Sequence, residues 1–178
     1  LLLAGCSSRD TTAGETAQTG EQITVVDQRG VSVTVDGPLE RIAFAVIPAP
    51  SIFAAVDRSY DRVVGINRST LQANQGGMFA TIFPESADSP VIAASDFVPN
   101  VETLLELRPQ VVIQWGDRGP DIVDPITNAG IPVIGLEYGT QEDLETWITL
   151  FSELSGDPQR GKDLVGWQRQ RALRHLAS

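Results

Sequence analysis

Apolar residues alternate with polar ones in two short runs near the start of the chain, Ile23-Thr-Val-Val-Asp27 and Val31-Ser-Val-Thr-Val35. A period of two with β-branched side chains predicts strands, and Gln28-Arg29-Gly30 between them reads as the turn of a β-hairpin. Further along, compact β-branched blocks alternate with helical stretches. Strands are expected at 41–46, 62–66, 111–114 and 132–136, with helices near 51–56, 77–83, 120–128 and 141–154. This alternation implies crossover units around a mainly parallel sheet flanked by helices, an α/β domain.

The rhythm lapses between residues 87 and 100, where Val91-Ile-Ala-Ala reads as a short strand and Asp96-Phe-Val-Pro as a loop. Asn100 then fits a helix N-cap. Glu102 and Thr103 follow in the first turn, Leu104, Leu105 and Leu107 supply an apolar face, and Pro109 stops the helix. From 158 to 175, Leu164, Val165, Trp167 and Leu173 with arginines between them predict a long amphipathic helix that leaves the domain.

With 178 residues, 42% of them hydrophobic, the chain is long enough for one well-cored domain. The net charge of −10 disfavours nucleic acid or an anionic membrane face over most of the surface. Charge is uneven. Residues 1–156 hold 8 basic and 21 acidic groups, a net of −13, whereas 157–178 hold 5 and 2, a net of +3. One cysteine and one histidine, Cys6 and His175, exclude an internal disulfide and a His/Cys metal cluster built from this chain alone.

Leu1-Leu2-Leu3-Ala4-Gly5-Cys6 is an apolar stretch ending in two small residues and a cysteine, with a polar tract after it. An apolar end held in a bilayer, small residues that admit a peptidase and a thiol that accepts a lipid explain that order. It resembles a bacterial lipoprotein signal box with Cys6 lipidated, which implies a lipid-anchored protein at the cell membrane, facing the periplasm or the exterior. Residues 7–21 then read as a flexible tether, too poor in apolar groups to fold.

Ligands of open α/β sheets bind beyond the carboxyl ends of the strands, which singles out the loop residues found there. Trp115, with Asp117 and Arg118 after it, ends one strand; Arg118 suits a carboxylate through paired hydrogen bonds. Trp115 fits a ligand wall or a lid on the core. Pro48, Asn67, Arg68, Asp96, Phe97 and Tyr138 fall at corresponding ends and would share that rim, each more readily read by itself as an ordinary loop residue.

Several segments together resemble the solute-binding proteins of iron-siderophore, haem and vitamin B12 import systems. They are Asp27 to Val35, Pro38-Leu-Glu-Arg41-Ile42, Val64-Gly65-Ile66, Asn100-Val-Glu102-Thr-Leu-Leu-Glu-Leu-Arg-Pro109-Gln-Val-Val-Ile113 and Ala129-Gly-Ile-Pro-Val-Ile134. The Asn100 block is the most specific. The resemblance implies two α/β lobes joined by one long helix with the ligand between them. Residues 22–156 would be the N-terminal lobe and 157–178 the start of the interlobe helix, with the second lobe absent. It also implies that Glu102 docks onto arginines of the permease subunits of an ABC transporter, where opposite charges set register; a first-turn acid suited to the helix dipole is the alternative. The ligand would be a metal chelate, a ferric siderophore first, with haem and cobalamin as alternatives. At Gln110 the sequence departs from the pattern, where an acidic residue is common.

The run from Gly156 to Asp163 nearly matches a phosphate-binding loop, but it ends in Asp and follows a helix where a strand is required, so a helix–helix turn is expected. No nucleophile, base and orienting group assemble in the sequence, and neither an enzyme nor a resident cofactor is indicated. Two other classes stay open: a surface-attached α/β enzyme lobe, a transferase or metal-cofactor assembly protein using Asp96, Asp117 and Arg118, and a non-transport surface receptor or sensor.

Overall fold

The computed structural model describes residues 22–176. Strands β1 (Gln22–Val26) and β2 (Ser32–Asp36) pair antiparallel as the expected hairpin. A five-stranded parallel sheet follows, built from β3 (Ile42–Phe44), β4 (Val63–Asn67), β5 (Val91–Ala93), β6 (Val111–Trp115) and β7 (Val133–Leu136). Its order is β5-β4-β3-β6-β7, so the chain builds outward from β3 in one direction, returns to the centre at β6, and builds outward in the other. Right-handed crossovers in that order place helices on both faces of the sheet.

The helices are α1 (Ala49–Asp57), α2 (Arg68–Gly76), α3 (Phe79–Ile82), α4 (Val101–Leu107), α5 (Asp124–Asn128), α6 (Gln141–Ser155) and α7 (Pro158–Leu176). Between β3, α1 and α6, the rings of Phe44, Phe53 and Phe151 meet at 5.4–5.9 Å, tilted or edge-on, and all three are fully buried. Such pairs add about 0.5–1.5 kcal/mol each beyond the burial of their area.

Two expectations differ from the structure, and a third point finds its explanation there. The sequence pattern assigns no helix between residues 66 and 77 and reads Asn67 and Arg68 as rim residues after a strand, yet Asn67 caps α2 by accepting a hydrogen bond from Ser69 N at 2.7 Å. Its polar composition hid a helix that buries only Thr70 and Asn74. Secondly, α7 does not simply leave the domain. It turns back at Gly156 (φ +85°) and runs along α6, with Gly161 buried and Arg169 paired to Glu145. Finally, the departure at Gln110 has a local cause. Its Oε1 accepts from Glu40 N at 2.7 Å and Arg41 N at 3.1 Å while its Nε2 donates to Asp36 O at 2.9 Å, and a carboxylate could not donate.

The hairpin turn locks onto the β7 edge. Gln28 N donates to Gly135 O at 3.2 Å, Asp27 accepts from Gly135 N at 2.8 Å, and the Arg29 guanidinium pairs with Asp27 at 2.6 Å while donating to Val133 O at 2.8 Å. Arg29 passes so close that a Cβ on Gly116 would meet its Cγ at 2.7 Å, and one on Gly135 would clash with its side chain. The turn covers an edge that would otherwise offer unpaired backbone groups.

Candidate ligand site at the carboxyl edge of the sheet

Because all five strands run the same way, the loops after β3, β4, β5, β6 and β7 meet on one edge. The order reverses between β3 and β6, so the loops leaving those two strands diverge, the position at which open α/β sheets hold their ligand crevice. Pro48 lies at the β3 side, where its carbonyl accepts from Ser51 Oγ at 2.8 Å. Gly116, Asp117 and Arg118 lie at the β6 side.

The β5–α4 loop reaches across to β6. Asp96 accepts from Val98 N at 3.2 Å and Phe97 N donates to Ala94 O at 3.0 Å, which turns Phe97 into the left-handed region at φ +69°. For a bulky residue this conformation costs on the order of 1–3 kcal/mol and persists only where the surroundings over-determine it. The Phe97 ring meets the Trp115 indole edge-on, 5.9 Å between centroids and 88° between planes. The guanidinium of Arg118 covers both, its Cζ 4.7 Å from the Phe97 centroid and 4.5 Å from that of Trp115. No carboxylate pairs with Arg118 among the described residues.

The aromatic band continues. Trp115 lies 5.9 Å from Trp147 of α6, and Trp147 lies 5.6 Å from Tyr138 in the β7–α6 loop, which is 62% exposed. Trp147 is fully buried and donates from Nε1 to both Gln28 Oε1 and Glu137 O at 2.9 Å. Gln28 also accepts from Glu137 N at 2.8 Å and donates to Asp143 at 3.0 Å, so the hairpin turn braces the Tyr138 loop. Asp143 closes a capping box with Thr140, whose hydroxyl and amide hold that carboxyl below its ordinary range. By contrast, the Trp115 Nε1–H is buried without an acceptor among the described residues. An orphaned buried donor costs about 1–3 kcal/mol and calls for an explanation.

Of the residues expected on the rim, Phe97, Trp115 and Arg118 form one clamp, Asp96 shapes its loop, and Asp117 lies exposed beside it. Tyr138 joins through Trp147. Asn67 does not face the crevice: it is fully buried, with its amide taken up by Ser69 N and, at 2.7 Å, Ala94 O. Arg68 is exposed in the first turn of α2. Glu102 is exposed in the first turn of α4, which starts on this same edge because it runs back from the end of β5. Cys6 lies outside the described residues. The Gly156–Lys162 stretch is the expected turn between two helices.

Trp147, Gln114 and Gln28 were not singled out from the sequence. Only Gln114 carried a signal there, as a lone amide inside an apolar strand. Among the described residues no three of His, Cys, Asp and Glu gather where they could hold a metal ion, and no helix there is long and apolar enough to cross a membrane.

No family model and no curated sequence matches the chain. Solved structures do. A periplasmic solute-binding protein from Veillonella parvula superimposes with a TM-score of 0.81 at 29% identity, over 86% of this chain and 47% of that one. The molybdate periplasmic binding protein MolA of a Haemophilus influenzae ABC transporter gives 0.66 at 20% identity, over 80% and 49%. A periplasmic haem-binding protein from Pseudomonas aeruginosa gives 0.62 at 21%, over 78% and 46%. The chain therefore spans about half the length of these proteins and has the α/β fold of periplasmic solute-binding proteins over that half.

Proposed function

We propose that the chain is the solute-binding component of an ABC importer, and that it holds a metal chelate, a ferric siderophore first, against Phe97, Trp115 and Arg118. The observation that carries this reading is the Arg118 guanidinium stacked on two aromatic faces at the switch point of the sheet, with no carboxylate beside it among the described residues. A planar fork held by its face keeps its N–H edge directed outward, an arrangement suited to the oxygens of an anionic chelate. The aromatic band supplies apolar area to a large ligand. An oxygen reaching the orphaned Trp115 Nε1–H would relieve a buried donor. Haem and cobalamin are the competing chelates, and two of the structural neighbours are a molybdate-binding and a haem-binding protein.

Delivery would use Glu102, exposed on the same edge, against arginines of the permease subunits. Cys6 would carry the lipid and residues 7–21 the tether, an arrangement that would hold the protein outside the cytoplasm at the membrane. Since α7 runs antiparallel to α6, its C-terminal end rises to the ligand edge, where an interlobe helix would lead to a second wall.

The test is a fluorescence titration of the Cys6→Ser protein with ferric hydroxamate and catecholate siderophores, haem, cobalamin and bare metal ions, repeated with Arg118→Ala. Quenching by one chelate class that weakens at least tenfold in the variant, about 1.4 kcal/mol, names the ligand. Silence toward every chelate, or a response indifferent to Arg118, sinks the reading.

A further inference from the structure

Gln114 occupies a position where a strand covered on both faces would carry an apolar side chain: Val111, Val112 and Ile113 before it and Trp115 after it are all buried. Gln114 is itself fully buried, and a primary amide removed from water is costly unless its donors and acceptor are matched. The register accounts for the first match. Strand β3 pairs with β6 as far as Phe44 opposite Ile113, and Ala45 N donates to Ile113 O at 2.8 Å. Past that point β6 continues beside β7 alone. Gly116 N turns to Leu136 O on the β7 side at 2.8 Å, so Trp115 N faces the side that β3 has left. The Oε1 of Gln114 accepts that stranded N–H at 2.9 Å.

Its Nε2 serves two other loops. One bond goes to Phe97 O at 3.1 Å and one to Ile122 O at 3.3 Å. A single side chain thus ties the end of β6, the loop crossing from β5, and the segment that follows Arg118. The first two carry Trp115 and Phe97, and the third anchors the chain just beyond Arg118. We infer that Gln114 is the positioning residue of the clamp: it touches no ligand, and it fixes Phe97 and Trp115 in the orientation on which Arg118 stacks. The inference rests on the binding reading for its purpose and on hydrogen bonds alone for its geometry.

Arg118 side-chain protons lying over two ring faces are shifted upfield by the ring currents, which gives the clamp a nuclear magnetic resonance signature that needs no ligand. In Gln114→Met, of similar volume, and in Gln114→Glu, which keeps the acceptor and loses both donors, that shift collapses toward the solvent-exposed value. Asn74→Leu removes a different buried amide, the donor to Ser86 O at 3.2 Å, and keeps the shift despite its own loss of stability. Affinity for whichever chelate the titration identifies falls roughly tenfold in both Gln114 variants, as for loss of a supporting shell. In the unmodified protein the Gln114 side-chain amide protons exchange slowly with solvent, a measurement that holds even if neither variant folds. An unchanged Arg118 shift in a folded Gln114 variant, or fast exchange of that amide, overturns the inference. Collapse of the shift in a protein that binds none of the chelates supports the positioning role and removes the binding reading.

Discussion

The Cζ of Arg118 lies 4.5 Å from the centroid of the Trp115 indole, and the backbone of Phe97, whose ring forms the other wall, adopts a left-handed conformation. The relationship depends on a flat cation. Lysine keeps the charge but cannot stack as a plane or offer a fork of donors. Arg118→Lys should weaken chelate binding about tenfold while stability stays within about 1 kcal/mol, the range of an exposed cation–π contact. A titration beside a urea melt checks both; equal affinities would mean that the ligand reads charge alone.

Trp147→Phe should cost about 1–3 kcal/mol, because it removes the N–H donated to Glu137 O and shared with Gln28 Oε1, which then keeps Glu137 N alone, while leaving most of the ring volume. Urea denaturation measures the loss. A mobile Tyr138 loop should accompany it, visible as faster amide exchange around Glu137, which Gln28 also holds.

Arg29→Ala should destabilise the domain by about 3–5 kcal/mol, the usual result of stranding one partner of a buried pair. The Asp27 side chain has no exposure and keeps only backbone donors once the guanidinium is gone. Thermal unfolding of the variant beside Arg41→Ala, a surface arginine bonded to Leu107 O, separates a buried pair from a generic loss of charge.

The contact of α7 with α6 should weaken in acid. Arg169 hydrogen-bonds and attracts the Glu145 carboxylate, which holds that carboxyl below the ordinary glutamate range, and the same pair raises Arg169. A carboxyl whose pKa falls on folding stabilises fully above its unfolded value and loses that stabilisation as pH drops through the folded one. Urea midpoints of wild type and Glu145→Gln should therefore differ at neutral pH and converge as pH falls below about 4.3, the ordinary glutamate value. A gap that stays constant to pH 3 would show that the carboxylate is not what Arg169 reads.

Glu102→Ala should leave chelate binding intact and change stability by only about 0.3–1 kcal/mol, the worth of a first-turn acid on a helix dipole. Uptake by cells, or capture by permease in detergent, should fall. Full uptake with the variant would assign Glu102 to the helix alone.

A period of two was enough to read the hairpin, compact β-branched blocks the five strands of the sheet, and a period of 3.6 most of the helices, because burial of one face or of both imposes these patterns on the sequence. The same patterns put Trp115, Asp117 and Arg118 at the end of one strand, and the direction of a parallel sheet does the rest. Helix α2 escaped, since its polar face dominates and one side-chain cap at Asn67 decides where it starts.

What the sequence alone determined is most of the elements, α2 excepted, and the edge on which their loops meet, both consequences of local periodicity and strand direction. What only the tertiary structure decided is which loop residues meet each other. Asn67 turns inward to cap a helix and Phe97 crosses from the far strand to Trp115, while Trp147 enters from within a helix and Gln28 from the hairpin turn. Gln28 and Trp147 are 119 positions apart in the chain. Hydrogen bonds of that span follow from how the layers stack, and no window along the sequence carries them.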